Sequence, residues 1–159
     1  MHAFSTSKPA AAPVLIRTSR PEDGDRTVAI WRDAVDATHD FLTAADRQAI
    51  DLEVQRFLPH SPLWLAVDQR DLAMGFMGLA GAHMEALFVD PAFHGIGVGR
   101  KLVGHALELH PVLTTDVNEQ NNQAIGFYER LGFVRIGRSP DDGEGRPYPL
   151  IHLRLDSTH

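Results

Sequence analysis

The sequence predicts an α/β (α+β) fold with a mixed central sheet of about seven strands flanked by about four helices. Two observations support this prediction. Three strand-like runs at residues 63–67, 72–79 and 83–89 follow one another with short connections, which is typical of an antiparallel meander. Beyond them the order strand, helix, strand, helix over residues 83–131 indicates a parallel strand pair joined by a crossover helix.

The N-terminal part of the chain predicts one strand and two helices. Residues 14–19 (VLIRTS) are typical of a short buried strand, and Pro21 begins a helix whose apolar residues recur at helical spacing. Thr43 and Asp46 have the spacing of a capping box and begin the second helix, which Pro59 ends. Its predicted buried face consists of four apolar side chains, Ile50, Val54, Phe57 and Leu58.

The C-terminal part alternates helices and strands. Apolar spacing predicts helices over residues 97–109 and 121–131, the second of them ended by Gly132. Residues 138–147 are rich in proline, glycine and charge and predict a loop. The strands predicted in this part are residues 112–117, 133–137 and 148–155.

The composition indicates one globular domain. A chain of 159 residues with 43% hydrophobic residues can bury one core, predicted over residues 13–156 after a disordered leader at residues 1–12. No apolar run approaches the roughly 20 residues that span a bilayer, and the leader does not resemble a secretory signal. The sequence has no cysteine, which excludes covalent catalysis by a thiol and suits a reducing cytoplasm. We therefore expect a cytoplasmic protein that does not bind membranes.

The net charge of the chain indicates which classes of partner it favours. A formal net charge of −6 argues against nucleic acid binding as the main activity and favours a cationic substrate. The nine histidines raise the question of a metal. No pair of them has ligand spacing on one helix face, so no metal site is predicted.

The stretch HGIGVGRKL at residues 94–102 joins a predicted strand to a helix N-terminus. The first N–H groups of a helix lack intrahelical partners and carry partial positive charge, so they can bind a phosphate. Arg100 and Lys101 are unfavourable in a first helical turn unless an anion lies nearby. The alternative is a flexible turn with two solvated cations. Neither GxGxxG nor GxxxxGK[ST] fits the glycines of this stretch, Gly95, Gly97 and Gly99.

Two stretches resemble the signatures of the GNAT N-acetyltransferases. ALFVDPAFHGIGVGRKLV is similar to their acetyl-CoA signature, V-x-P followed by R/Q-x-x-G-x-G/A, and NNQAIGFYERLGF is similar to N-x-x-A-x-x-F/L-Y-x-x-x-G-F. VDATHDFL, HMEALFVDP, TTDVNEQN and GRPYPL resemble the bacterial YjaB-type subgroup, so the resemblance covers nearly the whole chain after the leader. His94 departs from the pattern, because the family most often has Arg or Gln there and a neutral imidazole contacts phosphate more weakly.

The resemblance implies acetyl-CoA as cosubstrate and a sheet splayed between strands 83–89 and 112–117 with the pantetheine arm in the splay. It implies that the backbone of Phe88 and Val89 pairs with the pantetheine amides and that Asn121 holds the far side of the cofactor. The implied pyrophosphate site consists of His94, Gly95, Gly97, Val98, Gly99 and Arg100.

The resemblance also implies direct acetyl transfer to an amine in a ternary complex. Tyr128 is the implied acid that protonates the departing thiolate, although the helical spacing alone also fits a core tyrosine. Glu85, six positions before Pro91, is the implied base acting through water, or else binds the cationic amine. His83 faces the same side of the strand and is the rival base.

Several residues are candidates for the acceptor side. His39, Phe41 and His83 are the predicted acceptor contacts, with Asp40 nearby. The loop acids either guide a cationic acceptor or are simply solvated, and they are Asp141, Asp142 and Glu144. Each histidine or aromatic residue here also fits a merely structural role.

The subgroup resemblance implies protein lysine as the acceptor. A small amine or polyamine acceptor stays open, as does a non-catalytic sensor of acyl-CoA. Nucleotide binding without acetyl chemistry and a toxin that modifies charged transfer RNA are further alternatives, and the missing basic excess argues against the toxin. A homodimer also stays open.

Overall fold

The fold is described from a computed structural model covering residues 13–157, and the predicted leader at residues 1–12 lies outside the described part. The strands are β1 (Leu15–Thr18), β2 (Trp64–Val67), β3 (Ala73–Ala80), β4 (His83–Val89), β5 (Val112–Asn118), β6 (Val134–Ser139) and β7 (Leu150–Asp156). The helices are α1 (Gly24–Thr38), α2 (Ala44–Phe57), α3 (Val98–Leu109) and α4 (Asn122–Arg130). Within residues 13–157 no helix is long and apolar enough to cross a membrane.

One mixed sheet organises these elements, in the strand order β1-β2-β3-β4-β5-β7-β6. The meander from β1 to β4 is antiparallel, and β4 pairs with β5 in parallel, which confirms the prediction. The parallel pairing consists only of His83 opposite Thr114 and Met84 opposite Thr115. Beyond these two pairs the strands separate, so the sheet is splayed where the sequence predicts it.

A β-bulge lies in β4 just beside the splay. Gly78 pairs with Ala86 and Leu79 pairs with Met84, so Glu85 is an extra residue on the bulged strand. A bulge re-aims the side chains around it, and the Glu85 side chain is exposed.

Two apolar clusters flank the sheet. The α3-side core joins α3 and α4 to one face of the sheet, and Leu102, Leu113 and Ile151 are fully buried in it. The α1-side core covers the other face of β2 to β4, and Ile30 and Phe76 are fully buried there. The strands of the meander therefore have apolar side chains on both faces, and each face packs against one of the two cores.

The buried face predicted for α2 is partly wrong. Phe57 is 62% exposed, whereas Ile50, Val54 and Leu58 pack against the α1-side core as predicted. The chain turns directly after Phe57, and a Cβ on Gly24 would lie only 2.9 Å from the Cβ of Pro59, so the turn packs tightly against the start of α1. This docking directs Leu58 inward and leaves Phe57 outside.

The predicted loop at residues 138–147 is also slightly too long, because β6 extends to Ser139, which pairs with Leu150. The remaining loop is tied to α2. Thr43 caps α2 by accepting from Asp46 N at 3.1 Å, and the Asp46 carboxylate accepts from the Tyr148 hydroxyl at 2.5 Å rather than completing a capping box. Tyr148 Oη in turn accepts from Thr43 N at 3.2 Å. The start of α2 and the segment before β7 are therefore joined.

Arg26 in α1 connects the helix to the end of the meander. Its Nε and Nη2 donate to the carbonyl oxygen of Ala73 at 3.0 and 2.7 Å, and Nη2 also donates to Asp90 Oδ2 at 2.7 Å. Asp90 is buried and caps the next turn by accepting from Ala92 N at 2.9 Å. Arg26 thus holds the point where β4 leads into the glycine-rich stretch.

We expect Arg26→Ala to lower the free energy of unfolding by about 2–4 kcal/mol, because it leaves the buried Asp90 carboxylate and the Ala73 carbonyl without this donor. Arg138→Ala is the matched control, since Arg138 pairs with Glu119 at the surface. The control should cost less than about 1 kcal/mol. Urea unfolding measures both changes, and equal losses would contradict a structural role for Arg26.

Candidate active site

A cavity of about 510 Å³ lies beside the second half of β4, the part of this strand that does not pair with β5. It is lined by the C-terminal end of α1, the second half of β4, the glycine-rich stretch and α4. Tyr128 and His39 line it. So do all the predicted cofactor residues, Phe88, Val89, His94, Gly95, Gly97, Val98, Gly99, Arg100 and Asn121.

The glycine-rich stretch has the backbone shape of an anion site. Gly95 and Gly97 have φ of +80° and +88°, a region that side chains with a Cβ rarely adopt. Gly97 is the N-cap of α3 and supplies no side-chain cap. The first N–H groups of α3 therefore lack a capping side chain, at the helix end that carries partial positive charge.

The neighbouring helix α4 supplies residues that sequence reasoning missed. A Cβ on Gly99 would lie 3.1 Å from Phe127 Cζ, so this glycine lets the first turn of α3 approach α4. Gln123 Nε2 lies 3.2 Å from His94 Nε2, which holds the imidazole against α4. Gln123, Phe127 and Arg130 line the cavity together. Their spacing along one helix face was the available sequence signal.

Asn121 has a structural task as well as a place in the cavity. It is the N-cap of α4, and its Oδ1 accepts from Ala124 N at 3.1 Å. The residue is buried. Its side-chain amide NH₂ is therefore the group left for a ligand.

Tyr128 is both a core residue and a cavity residue. Its ring makes edge contacts with Phe127 and Phe133, at centroid distances of 5.3 and 5.2 Å, and the residue is only 6% exposed. Burial raises the pKa of Tyr128 well above its usual value, while a hydrogen bond with the Thr115 side chain opposes the rise. The hydroxyl is therefore protonated at neutral pH and can act as a proton donor.

The predicted residues outside the cavity lining are Glu85, His83 and Phe41. Glu85 is exposed on the bulge. His83 Nδ1 lies 2.7 Å from Thr114 Oγ1 and Nε2 lies 3.3 Å from Asp116 Oδ2, so both ring nitrogens are occupied. This arrangement argues against His83 as a base. Phe41 packs on the ring of His39, with centroids 5.1 Å apart.

A polar cluster beyond His83 was not predicted. Asp116 also accepts from His152 Nδ1 at 2.5 Å, and His152 Nε2 lies 2.7 Å from Ser139 Oγ. Gly137 makes room for this ring, because a Cβ there would lie 3.2 Å from His152 Cδ2. Strand alternation indicates which side chains share this face, but only the strand order brings these three strands together.

His39 follows the last turn of α1 and lines the cavity. Its Nδ1 lies 2.7 Å from Thr38 Oγ1, which donates to the Ala34 carbonyl at 2.8 Å. Burial lowers the pKa of His39, and the nearby Asp40 carboxylate opposes this effect. The imidazole is therefore neutral at pH 7.

The loop acids partly stabilise their own loop. Asp141 accepts from Gly143 N at 3.0 Å and Asp142 accepts from Glu144 N at 2.9 Å. Among residues 13–157 no group of three or more His, Asp or Glu side chains is arranged to hold a metal ion. Guidance of a cationic acceptor by these acids stays a prediction.

Comparison with known proteins adds independent evidence. Residues 59–135 match the family described as "Acetyltransferase (GNAT) domain". The chain is 56% identical over 140 residues to the peptidyl-lysine N-acetyltransferase YjaB of Escherichia coli, covering 88% of this chain and 95% of that protein. The solution structure of apo YjaB from Escherichia coli superposes with a TM-score of 0.87, covering 89% of this chain and 97% of that chain. YncA of Salmonella typhimurium, a putative acetyltransferase solved with acetyl-CoA, shares the fold at 20% identity, with a TM-score of 0.62 and coverage of 93% and 96%.

Gly97→Ala tests the glycine-rich stretch. A side chain at φ of +88° is strained by about 1–2 kcal/mol and should distort the N-terminus of α3. We expect lower stability together with at least about tenfold weaker acetyl-CoA binding, measured by calorimetry, since charge-assisted hydrogen bonds are lost. Gly81→Ala is the matched control, because Gly81 has φ of +57° and a Cβ there meets nothing within 4 Å. The control should lose stability only, and equal loss of binding in both variants would contradict the assignment.

Proposed function

The chain belongs to the GNAT acetyltransferase family, and from that premise we propose that it transfers acetyl groups to the side-chain amines of protein lysines. It is an acetyl-CoA-dependent N-acetyltransferase. The observation that supports the residue assignments is the cavity beside the unpaired part of β4, which combines the N-terminus of α3, without a capping side chain, with the buried Tyr128. Protein lysine as acceptor is supported by the name of the Escherichia coli relative.

The proposal assigns the cofactor contacts to β4 and α3. Phe88 and Val89 pair with β3 along one edge of their strand, and beyond Met84 the other edge has no partner strand in the described part of the chain. Unpaired backbone groups of this kind require a hydrogen-bonding partner, which the pantetheine amides supply. The pyrophosphate lies at the first N–H groups of α3, with Arg100 alongside.

The proposal assigns the acid step to Tyr128. In a ternary complex the amine nitrogen attacks the thioester carbonyl, and collapse of the tetrahedral intermediate breaks the C–S bond. Tyr128 Oη donates its proton to the departing sulfur. Glu85 is the base expected from the resemblance, acting through water from its exposed position on the bulge.

The proposal also includes a cytoplasmic location, which the cysteine-free composition suits. A homodimer belongs to it as well. The edge strands of the described sheet are β1 and β6, and both lie away from the splay between β4 and β5. Self-association through either edge is therefore compatible with an open cavity.

The activity assay follows CoA release from acetyl-CoA over lysine peptides, free amino acids, polyamines and aminoglycosides. We expect release with lysine peptides, and a fall in kcat of about 10²-fold or more in Tyr128→Phe, the range expected for loss of a general acid. Acetyl-CoA binding should survive, because the phenyl ring keeps its packing against Phe127 and Phe133. Transfer only to another amine class would contradict protein lysine as the acceptor. An unchanged rate in Tyr128→Phe would contradict the role of Tyr128 as the acid.

The raised pKa of Tyr128 leads to a prediction for the pH dependence of kcat. A phenol with the ordinary pKa of about 10 loses its proton above that pH and stops acting as an acid. Because burial raises the pKa of Tyr128, the hydroxyl stays protonated through this range. We therefore expect kcat to rise with pH and to show no descending limb near pH 10. A descending limb there in the wild type, absent from the residual rate of Tyr128→Phe, would show an ordinary pKa instead.

A further inference from the structure

Acetyl transfer to lysine needs a group that removes a proton, because a lysine side chain with a pKa of about 10.4 arrives as an ammonium ion at neutral pH. Glu85 is exposed on the bulge and does not line the cavity. Both ring nitrogens of His83 already have partners in Thr114 and Asp116. His39 lies in the cavity wall, as does the acid Tyr128.

The hydrogen bonds of His39 assign its tautomer. The Thr38 hydroxyl has one proton and donates it to the Ala34 carbonyl at 2.8 Å. Its oxygen can then only accept from His39 Nδ1, at 2.7 Å, so Nδ1 carries the imidazole proton. Nε2 is left with its lone pair and has no hydrogen-bond partner among residues 13–157. Within residues 13–157 the fully buried side-chain nitrogen without a hydrogen-bond partner is His105 Nε2. His39 Nε2 is therefore not fully buried and is accessible to solvent.

We propose that His39 Nε2 is the general base that takes the proton from the acceptor ammonium. The inference rests on the proposed transfer to lysine and goes beyond it by replacing the expected base. Thr38 acts as a positioning residue, because its hydroxyl fixes the tautomer in which Nε2 can accept.

The proton balance closes with these two side chains. His39 Nε2 takes one proton from the ammonium ion, and the neutral amine forms the N–C bond. When the C–S bond breaks, Tyr128 gives its proton to the thiolate, and the nitrogen loses a second proton that restores the phenol. The third proton stays on the amide, and His39 releases its own to solvent.

The surroundings of His39 suit a base that is neutral at rest. The Phe41 ring packs against the imidazole at a centroid distance of 5.1 Å and an angle of 40°, which limits its rotation. Burial lowers the pKa of His39 although Asp40 follows directly in sequence. The other titratable side chains that line the cavity are His94, Arg100, Tyr128 and Arg130. Among residues 13–157, no carboxylate lines the cavity with His39 to stabilise its protonated form.

The test compares acceptors that do and do not need a base. With a lysine peptide at pH 7, His39→Gln should lower kcat by about 10²-fold or more. The loss should shrink to a few-fold with trifluoroethylamine, which is already neutral at that pH, and with lysine peptide above pH 10.4, where the ammonium has lost its proton. Thr38→Val, which removes the partner of Nδ1, should lower kcat in the same acceptor-selective way but less. His60→Gln is the matched control, because His60 is exposed and outside the cavity lining, and it should leave the rate unchanged.

Three results would overturn the inference. Equal losses for both acceptors in His39→Gln would mean that His39 only binds or packs. An acceptor-selective loss in Glu85→Gln that is absent from His39→Gln would return the base role to Glu85. Nitrogen NMR of the imidazole showing the proton on Nε2 at neutral pH would contradict the assigned tautomer, whatever the activity. A wild-type enzyme that acetylates no amine would instead overturn the proposed function, so the two failures are distinguishable.

Discussion

The separation of β4 from β5 after two residue pairs is the constraint on which the rest of the molecule depends. Two side-chain hydrogen bonds join β4 and β5 at these residue pairs. His83 Nδ1 lies 2.7 Å from Thr114 Oγ1, and the Thr115 hydroxyl donates to the Met84 carbonyl at 2.9 Å. Beyond these two pairs, the facing edges of β4 and β5 have no partner strand within residues 13–157. Backbone N–H and C=O groups without a protein partner are hydrogen-bonded to water or to a ligand, so amide groups of a ligand can pair with this strand edge. The proposed cofactor site is thus a direct result of interrupted strand pairing.

The two sides of the gap are built by different means. On the proposed cofactor side, backbone conformation dominates, since Gly97 begins α3 without a capping side chain and Gly99 allows α4 to come close. On the proposed acceptor side, side-chain chemistry dominates, since His39 is held through Thr38 and packed by Phe41. A phosphate ligand is recognised well by fixed N–H dipoles, whereas moving a proton needs a titratable group in a defined tautomer.

Much of the fold followed from local sequence, and the cofactor residues that the family resemblance implies all line one cavity. Strand alternation, helical spacing and turn residues predicted the elements and their order, and the glycine signature predicted the residues around α3. The errors have tertiary causes: Phe57 satisfies the helical pattern but is exposed because Pro59 docks on Gly24. The run HMEALFV gives no local sign of a bulge at Glu85, since the bulge is defined by the register with β3. His39 Nδ1 is hydrogen-bonded to Thr38, which leaves Nε2 free, and Asp116 accepts from His152. Both arrangements depend on contacts that form only in the folded chain.

The ties between α2 and the segment before β7 have a consequence for local stability. Thr43, Asp46 and Tyr148 are bonded to one another, and the Tyr148 ring lies 5.9 Å from that of Phe41. Arg146 adds an ion pair with Glu53 at 3.0 Å. Segments about 100 residues apart in the chain therefore form one cooperative unit, and its opening exposes both at once. Separating the two segments would therefore break all of these contacts together, while the strand pairs of the sheet stay formed.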